Sequence, residues 1–264
     1  MNDVSINGLW LSTINAQLVS RDIPPLPDTE ENTVKLAGRD GVKSFGSTYA
    51  ARPLGLGLFV MGDDYDGTVA KLASVFNVRR GPLIIIFDDR PEKRYIAEYR
   101  GSMAFDTSTG NRLINVPLKM DDPWPESQQD TELREYGQGL SFGEGYFYIS
   151  DSSFSITTSG QMVTLDNIGS ERAYPLMRIS GSFTDLSISD GRQTFTFTGS
   201  IGANDVLEID SDPDKCTVKL NGTNAWGRSN GVFFELIPGE TTFTVSATTP
   251  AFNLEIIYRY KYLF

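Results

Sequence analysis

Three acidic clusters have the residue types that paired-carboxylate chemistry needs. They are Asp63, Asp64 and Asp66; Asp88 and Asp89; and Asp121 and Asp122. Glycosidases place two acids on either side of a sugar ring, so a hydrolase that acts on polysaccharides is one hypothesis. Each cluster also has a structural explanation. The first precedes a helical pattern, the second ends an apolar run, and the third opens a polar linker. We predict no catalytic residue in any of them.

A second acidic group could bind a hard cation. The stretch DVLEIDSDPDK contains Asp205, Asp210, Asp212 and Asp214. Carboxylate oxygens suit calcium, but the spacing lacks the glycine and the distal glutamate of a calcium-binding helix-loop-helix. The pattern is more typical of a polar turn between strands, so we predict no metal site.

Histidine is absent from the chain, and Cys216 is its single cysteine. The composition therefore excludes an internal disulfide, the usual zinc sites and His-based triads. Cys216 stands in KCTVKL on the same parity as Val218 and Leu220, which predicts a small buried apolar residue rather than a reactive thiol. GLGLF resembles a phosphate-binding loop only superficially because it lies within a strand pattern, so we predict no cofactor.

Trp226 is a candidate for sugar binding. It stands in the loop sequence NGTNAWGRSNG, and an exposed aromatic ring can stack on a pyranose. The alternative, which we favour, is that the ring packs on the edge of a β-sandwich.

The charge and the hydropathy pattern limit the partners of the protein. A formal net charge of -11 argues against a nucleic-acid groove, which would need clustered Lys and Arg. No apolar run reaches the roughly 20 residues of a membrane helix, and the start of the chain lacks the pattern of a secretory signal. We therefore expect synthesis in a cytoplasm and no insertion into a membrane.

The first half of the sequence predicts strands around one helix. Val69, Leu72, Ala73 and Phe76 recur at helical spacing within a helix of about residues 65–79. RPLGLGLFVMG and RLINVPLKM alternate as half-buried strands do, whereas the unbroken run PLIIIFDD predicts a strand buried on both faces. Residues 20–48 show little periodicity, but the turn sequence GRDG predicts a hairpin, and we interpret this span as a projecting arm.

A polar segment rich in proline, acid and glycine, residues 120–139, predicts a domain boundary. We place an N-terminal domain at 1–135 and a C-terminal domain at 136–264. Successive strand patterns without a helix predict an all-antiparallel β-sandwich in the second half. Its expected strands include separate segments VFFELIPGETTFTVSA and FNLEIIYRYKYLF, the latter alternating from Phe252 to Phe264.

The order of these segments resembles the distal tail proteins of long-tailed, noncontractile bacteriophages. The resemblance covers essentially the whole chain. It depends on GRDG, RPLGLGLFVMG, the single helix, LIIIFDDRPEKRYIAEYRG and INVPLKMDDPWPES in the first half, and on YPLMRISG, VLEIDSDPDKCTVKLNGTN, FFELIPGETTFTV and the closing strand in the second. It implies a mainly β fold, with a ring-forming N-terminal domain and a galectin-like C-terminal sandwich.

The resemblance also implies a structural virion protein at the tail tip. Such proteins commonly form a sixfold ring that contacts the tail tube protein on one side and the tail-tip hub on the other, and a receptor-binding protein is a further candidate partner. For the ring interface we predict residues of the arm and of one charged, aromatic strand. They are Arg39, Asp40, Arg94, Tyr95, Tyr99 and Arg100; the two tyrosines could instead pack in the core.

Two hypotheses from other classes remain open. The first is a carbohydrate-binding module that uses Trp226 to adhere to a host glycan, and the second is the polysaccharide hydrolase. If the ring hypothesis is correct, deletion of residues 24–36 should leave a folded protein that does not assemble.

Overall fold

The computed structural model describes residues 3–106, 112–132 and 152–264. The chain forms two compact units. The first extends to Glu126 and also contains Leu263 and Phe264, and the second runs from Ser127 to Tyr262. The predicted boundary between residues 135 and 136 lies outside the described residues.

The described residues of the first unit form antiparallel strands and one α-helix. Its strands are β1 (Val4–Ile6), β2 (Leu9–Trp10), β3 (Ala16–Asp22), β4 (Thr29–Val34), β5 (Lys43–Tyr49), β6 (Arg52–Val60), β7 (Leu83–Phe87), β8 (Arg90–Tyr99), β9 (Ala104–Asp106), β10 (Leu113–Met120) and β11 (Glu126–Ser127). Most of them belong to one sheet with the path β2-β1-β7-β8-β10-β6-β3. Among the strands of the described residues, β4 and β5 pair only with each other.

Alternation of side chains on β6 and β10 creates the core of this unit. The two strands pair along their whole length, from Leu113 opposite Phe59 to Met120 opposite Arg52. One face of the pair is buried, and its apolar members are Leu54, Leu56, Leu58, Val60, Ile114, Val116, Leu118 and Met120. Each such side chain contributes about 1.5–3 kcal/mol when fully buried. The predicted alternation of both strands is confirmed.

The predicted helix is present but shorter than expected. α1 runs from Tyr65 to Val75, and the carboxylate of Asp64 caps it by accepting a hydrogen bond from the backbone N–H of Gly67 at 3.0 Å. Asn77 then accepts from the N–H of Arg79 and begins a separate 3₁₀ turn, Val78–Arg80. The helix ends early because a second capped turn follows it directly.

The burial of β7 differs from the prediction. The run LIIIF was predicted to be buried on both faces, but only Leu83, Ile85 and Phe87 are buried. Ile84 is 38% exposed and Ile86 is half-buried. β7 pairs antiparallel with β1 and β8, and an antiparallel sheet can have one face covered and one accessible.

The second unit is antiparallel β, as the sequence predicts. Its strands are β12 (Ser153–Ile156), β13 (Gln161–Asn167), β14 (Leu176–Ser189), β15 (Thr194–Ile201), β16 (Val206–Asp210), β17 (Thr217–Leu220), β18 (Thr223–Asn224) and β19 (Gly239–Ile257). The path is β12-β19-β14-β16-β17-β18, with β13 paired to β19 and β15 paired to β14. Their inward side chains form a second hydrophobic core that includes Phe183, Phe197, Phe243 and Phe252.

Two segments predicted as separate strands form one, β19, and this prediction was wrong. β19 pairs with β13 near its start, with β12 near its end and with β14 along most of its length. An irregularity replaces the expected break: Thr249 has φ +49°, and Gly181 on β14 has φ +133°. A Cβ at Gly181 would lie 2.5 Å from the backbone oxygen of Ala251, so glycine permits this close approach.

The chain leaves the strand conformation after Ile257. Phe252, Leu254, Ile256 and Tyr258 are buried, in agreement with the predicted parity. The predicted alternation of burial does not continue beyond Tyr258, since Tyr260 and Tyr262 are half-buried and Phe264 is 42% exposed.

Candidate functional surface

The arm is an exposed β-hairpin of residues 29–49, which confirms the hairpin predicted from GRDG. The predicted span of 20–48 was too long at its start, because residues 20–22 belong to β3 and pair with β6. Every residue of β4 and β5 is exposed. The two strands pair from Thr29 opposite Tyr49 to Val34 opposite Lys43. Gly38 and Gly41 have φ of 75° and 81° and supply the left-handed conformations that the tip needs.

Four apolar side chains of the hairpin are exposed. Val34 is 48%, Leu36 43%, Val42 59% and Phe45 63% exposed. A two-stranded hairpin is at best marginally stable by itself in water, so exposed apolar side chains on it favour contact with another protein. We name these four residues the arm patch. They were not among the interface residues predicted from the sequence, although the apolar residues on both sides of the GRDG turn could have indicated them.

The base of the hairpin is fixed to the first unit. The N–H of Ala50 donates to the backbone oxygen of Asp28 at 2.8 Å and closes the hairpin at its root. The ring of Tyr49 makes an edge contact with Trp124, with 5.1 Å between centroids. The arm is thus anchored at one end and exposed along its length.

Arg52 lies directly after the arm and is fully buried. Its Nη2 donates to the backbone oxygen of Leu263 at 2.7 Å, and its guanidinium lies 5.7 Å from the centroid of Trp124. Among the described residues, its Nε and Nη1 have no hydrogen-bond partner. Loss of hydration lowers the pKa of Arg52 below its ordinary value. No sequence pattern indicated this residue.

The predicted interface residues have different environments. Arg39 and Asp40 are exposed at the tip of the arm. On β8, Arg94 forms an ion pair with Glu126 at 2.6 Å, and Arg100 is exposed and pairs with Glu98 at 2.6 Å.

The two tyrosines of that strand differ in accessibility. Tyr95 is fully buried and packs edge-on against Phe87 at 5.3 Å, so it is not accessible for contact with another protein. Tyr99 is half-buried against the core.

The acidic clusters have structural roles in the described parts of the chain. Asp64 caps α1, and both carboxylate oxygens of Asp89 accept from Arg21 at 2.6 and 2.7 Å. The Arg21 hydrogen bond holds the pKa of Asp89 below its usual value. Asp121 pairs with Lys119 at 2.9 Å. No cluster of acids, cysteine or histidine in this portion has the arrangement of a metal site.

The acids around β16 are likewise engaged in local contacts. Asp210 and Asp212 pair with Lys215 at 3.3 and 3.1 Å. Asp205 accepts from the N–H of Gly202 and from the side chain of Asn221, and these hydrogen bonds lower its pKa. The arrangement is that of a polar turn.

Cys216 is not the buried apolar residue that the sequence predicted. It is half-buried and precedes β17 with φ +44°, because the turn of Asp212 to Cys216 ends there.

Trp226 lies in a 3₁₀ turn, is 44% exposed, and contacts Phe233 with 5.5 Å between ring centroids. Its role in sugar binding stays a prediction. No helix among the described residues is long and apolar enough to cross a membrane.

Two protein families match successive parts of the sequence. Residues 12–120 match the phage tail protein RIFT-related domain, and residues 168–262 match the C-terminal domain of the siphovirus-type tail component. The order of the two matches follows the order of the two structural units. The fold and these matches define the protein as a phage tail component.

Solved structures are similar along the whole chain. The crystal structure of the Dit protein of phage SPP1, described as a paradigm of the hub adsorption apparatus in phages that infect Gram-positive bacteria, is 16% identical with a TM-score of 0.72, and 99% of each chain is covered. A chain of the phage p2 baseplate in its activated conformation is 8% identical with a TM-score of 0.48, covering 99% of this chain and 98% of that one. No curated protein matches this sequence. The chain belongs to the distal tail proteins of siphophages.

Proposed function

We propose that this protein forms a hexameric ring at the distal end of the phage tail. The ring joins the tail tube protein to the tail-tip hub and to the adsorption apparatus, in which a receptor-binding protein is a further partner. The chain is made in the cytoplasm of the host bacterium and acts in the virion without catalysis. The observation that carries this proposal is the exposed arm on a chain of the distal tail protein family.

The arm supports head-to-tail contact between copies. A closed ring with one subunit type needs two different, complementary surfaces on each subunit. The arm patch is one such surface, because it exposes Val34, Leu36, Val42 and Phe45 without covering the core of its own unit. The second surface is a sheet edge of the next copy, to which hairpin strands can add by backbone hydrogen bonds.

The charged residues of the arm restrict the orientation in which it can dock on a partner. Glu30 and Glu31 lie on β4, whereas Lys35, Arg39 and Lys43 lie at the tip and on β5. Mixed charges around an apolar patch favour one docking geometry, since misplaced partners would bring like charges together. Arg39 and Asp40 remain in the proposed interface, together with Arg94, Tyr99 and Arg100.

A non-catalytic role is supported by the chemistry that the chain offers. It has no histidine, and Asp64, Asp89 and Asp121 are engaged in a helix cap and ion pairs. Such acids stabilise the fold and are not arranged around a shared substrate position.

Native mass measured by light scattering on a sizing column, across a concentration series, tests the proposal. One chain has a mass of 29.2 kDa, so we expect a discrete species of about 175 kDa, six times that value, or a stacked pair of such rings. A strictly monomeric protein at every concentration would contradict ring formation by the isolated chain.

A further inference from the structure

A groove of about 390 Å³ lies within the second unit. Residues of four separate segments line it, including Tyr174, Arg192, Gln193, Ser211, Phe233 and Glu235. Its volume falls within the range of sites that bind small molecules, about 300–1,000 Å³. The fold and the proposed ring leave this groove unexplained.

Aromatic side chains provide flat apolar surface along the groove. Tyr174 and Phe233 are half-buried and line it, and Phe234, which is 1% exposed, lines it as well. Trp226 extends this surface beyond Phe233, since the two rings are 5.5 Å apart and inclined by 34°. The Nζ of Lys261 lies over one face of the Tyr174 ring, 5.8 Å from its centroid, so a sugar would stack on the other face of Tyr174 or on Phe233.

Two polar groups of the groove have unused hydrogen-bonding capacity. The Nε2 of Gln193 donates to the backbone oxygen of Phe233 at 2.7 Å, which fixes the amide. No described residue donates to its Oε1. The hydroxyl of Ser211, a residue only 2% exposed, accepts from the N–H of Phe234 at 3.3 Å and keeps its own proton to donate. A hydroxyl-bearing ligand could use both groups.

The charged groups beside the groove neutralise one another. Arg192 pairs with Asp190 at 3.0 Å and with Glu235 at 3.7 Å, and Arg172 pairs with Glu235 at 2.9 Å. Two arginines therefore face two carboxylates. Neither a phosphate nor an amine would find an unpaired opposite charge there, so the balance favours an uncharged ligand.

We propose that this groove binds a neutral pyranose, the sugar unit of an uncharged cell-surface glycan. The sugar stacks on the aromatic wall formed by Tyr174 and Phe233 and exchanges hydrogen bonds with Gln193 and Ser211. Trp226 contacts the next sugar unit of the glycan. All of these residues lie in one unit, so the binding does not depend on the ring.

Chemical modification of Cys216 can report ligand binding, because Cys216 is the only cysteine of the chain and lines the groove. The rate at which a thiol reagent modifies Cys216 in the full-length protein is measured with and without neutral oligosaccharides. The probes are short oligomers of glucose, galactose, rhamnose and N-acetylglucosamine. We expect at least one of them to slow modification by about tenfold at saturation, and glucose 6-phosphate not to do so.

Two variants assign the protection to the groove. Tyr174→Ala should abolish it, and Trp226→Ala, at an exposed position where the fold is not at risk, should weaken the apparent affinity by about tenfold. Met162→Ala is the matched control, since Met162 is 68% exposed and does not line the groove. Absence of protection by every oligosaccharide, equal protection by the phosphorylated sugar, or full protection in both aromatic variants would each overturn the proposal.

Discussion

Replacement of residues 30–48 by an Asn-Gly turn is expected to convert the proposed oligomer into a folded monomer. Thr29 and Tyr49 lie opposite each other in the hairpin, so a two-residue turn can close the chain between them. The replacement removes the whole arm patch but retains the contact of Tyr49 with Trp124. Light scattering should then give about 27 kDa, the mass of one shortened chain, since the full chain of 29.2 kDa loses 17 residues in the replacement.

This replacement is a sharper test than the deletion of residues 24–36 considered from the sequence. That deletion would remove β4 and leave β5 without its partner, so a loss of assembly could reflect misfolding. A matched pair of point variants gives independent support. Phe45→Ser should weaken association by tenfold or more per interface, whereas Met162→Ser, at a similarly exposed position in the second unit, should not. An unchanged oligomer after removal of residues 30–48 would exclude the arm from the ring contact.

Arg52→Ala is expected to destabilise the first unit by about 3 kcal/mol. The side chain is fully buried, so its removal leaves a cavity beneath Trp124 and takes a donor away from the oxygen of Leu263. Denaturant unfolding followed by tryptophan fluorescence measures the change, because Trp10 and Trp124 both report on this unit.

Arg52→Met separates packing from charge at the same position. Methionine fills much of the space and removes two buried nitrogens, Nε and Nη1, that have no partner among the described residues. Its free energy of unfolding should therefore lie within about 1 kcal/mol of the unmodified protein, as replacement of buried charges by apolar residues often shows. Equal destabilisation by Met and Ala would instead mean that the hydrogen bond to Leu263, rather than the volume, dominates.

Local sequence patterns predicted the elements whose conformation and burial depend on neighbouring residues in the sequence. Alternation on β6 and β10 predicted which faces are buried, Asp64 and the spacing of Val69 and Leu72 predicted α1, and GRDG predicted the arm. In each case the signal lies within about ten residues of sequence, because period and turn chemistry are local properties. The order of such segments also sufficed to indicate the family.

Properties that depend on distant residues could not be predicted in this way. Ile84 is exposed because of the strands beside β7, and nothing in LIIIF specifies them. The continuity of β19 depends on Gly181, about 70 positions away from the segment that it faces, Ala251. The burial of Arg52 depends on Leu263, at the other end of the chain.

Candidate site residues were predicted less well than the fold. Tyr and Arg were selected for their frequency in interfaces, and this choice included Tyr95, which is fully buried. It omitted Val42 and Phe45, whose exposure follows from the separation of the arm from every other strand in the described chain. Composition cannot distinguish a core aromatic residue from a surface one when both stand in strand patterns.

Electron microscopy of the purified, unmodified protein tests the central claim most directly. Class averages of negatively stained particles should show annuli with sixfold symmetry around a central opening, and the annuli should disappear when residues 30–48 are replaced. Particles of single subunits, or compact oligomers without a central opening, would contradict a ring that joins the tail tube to the tip.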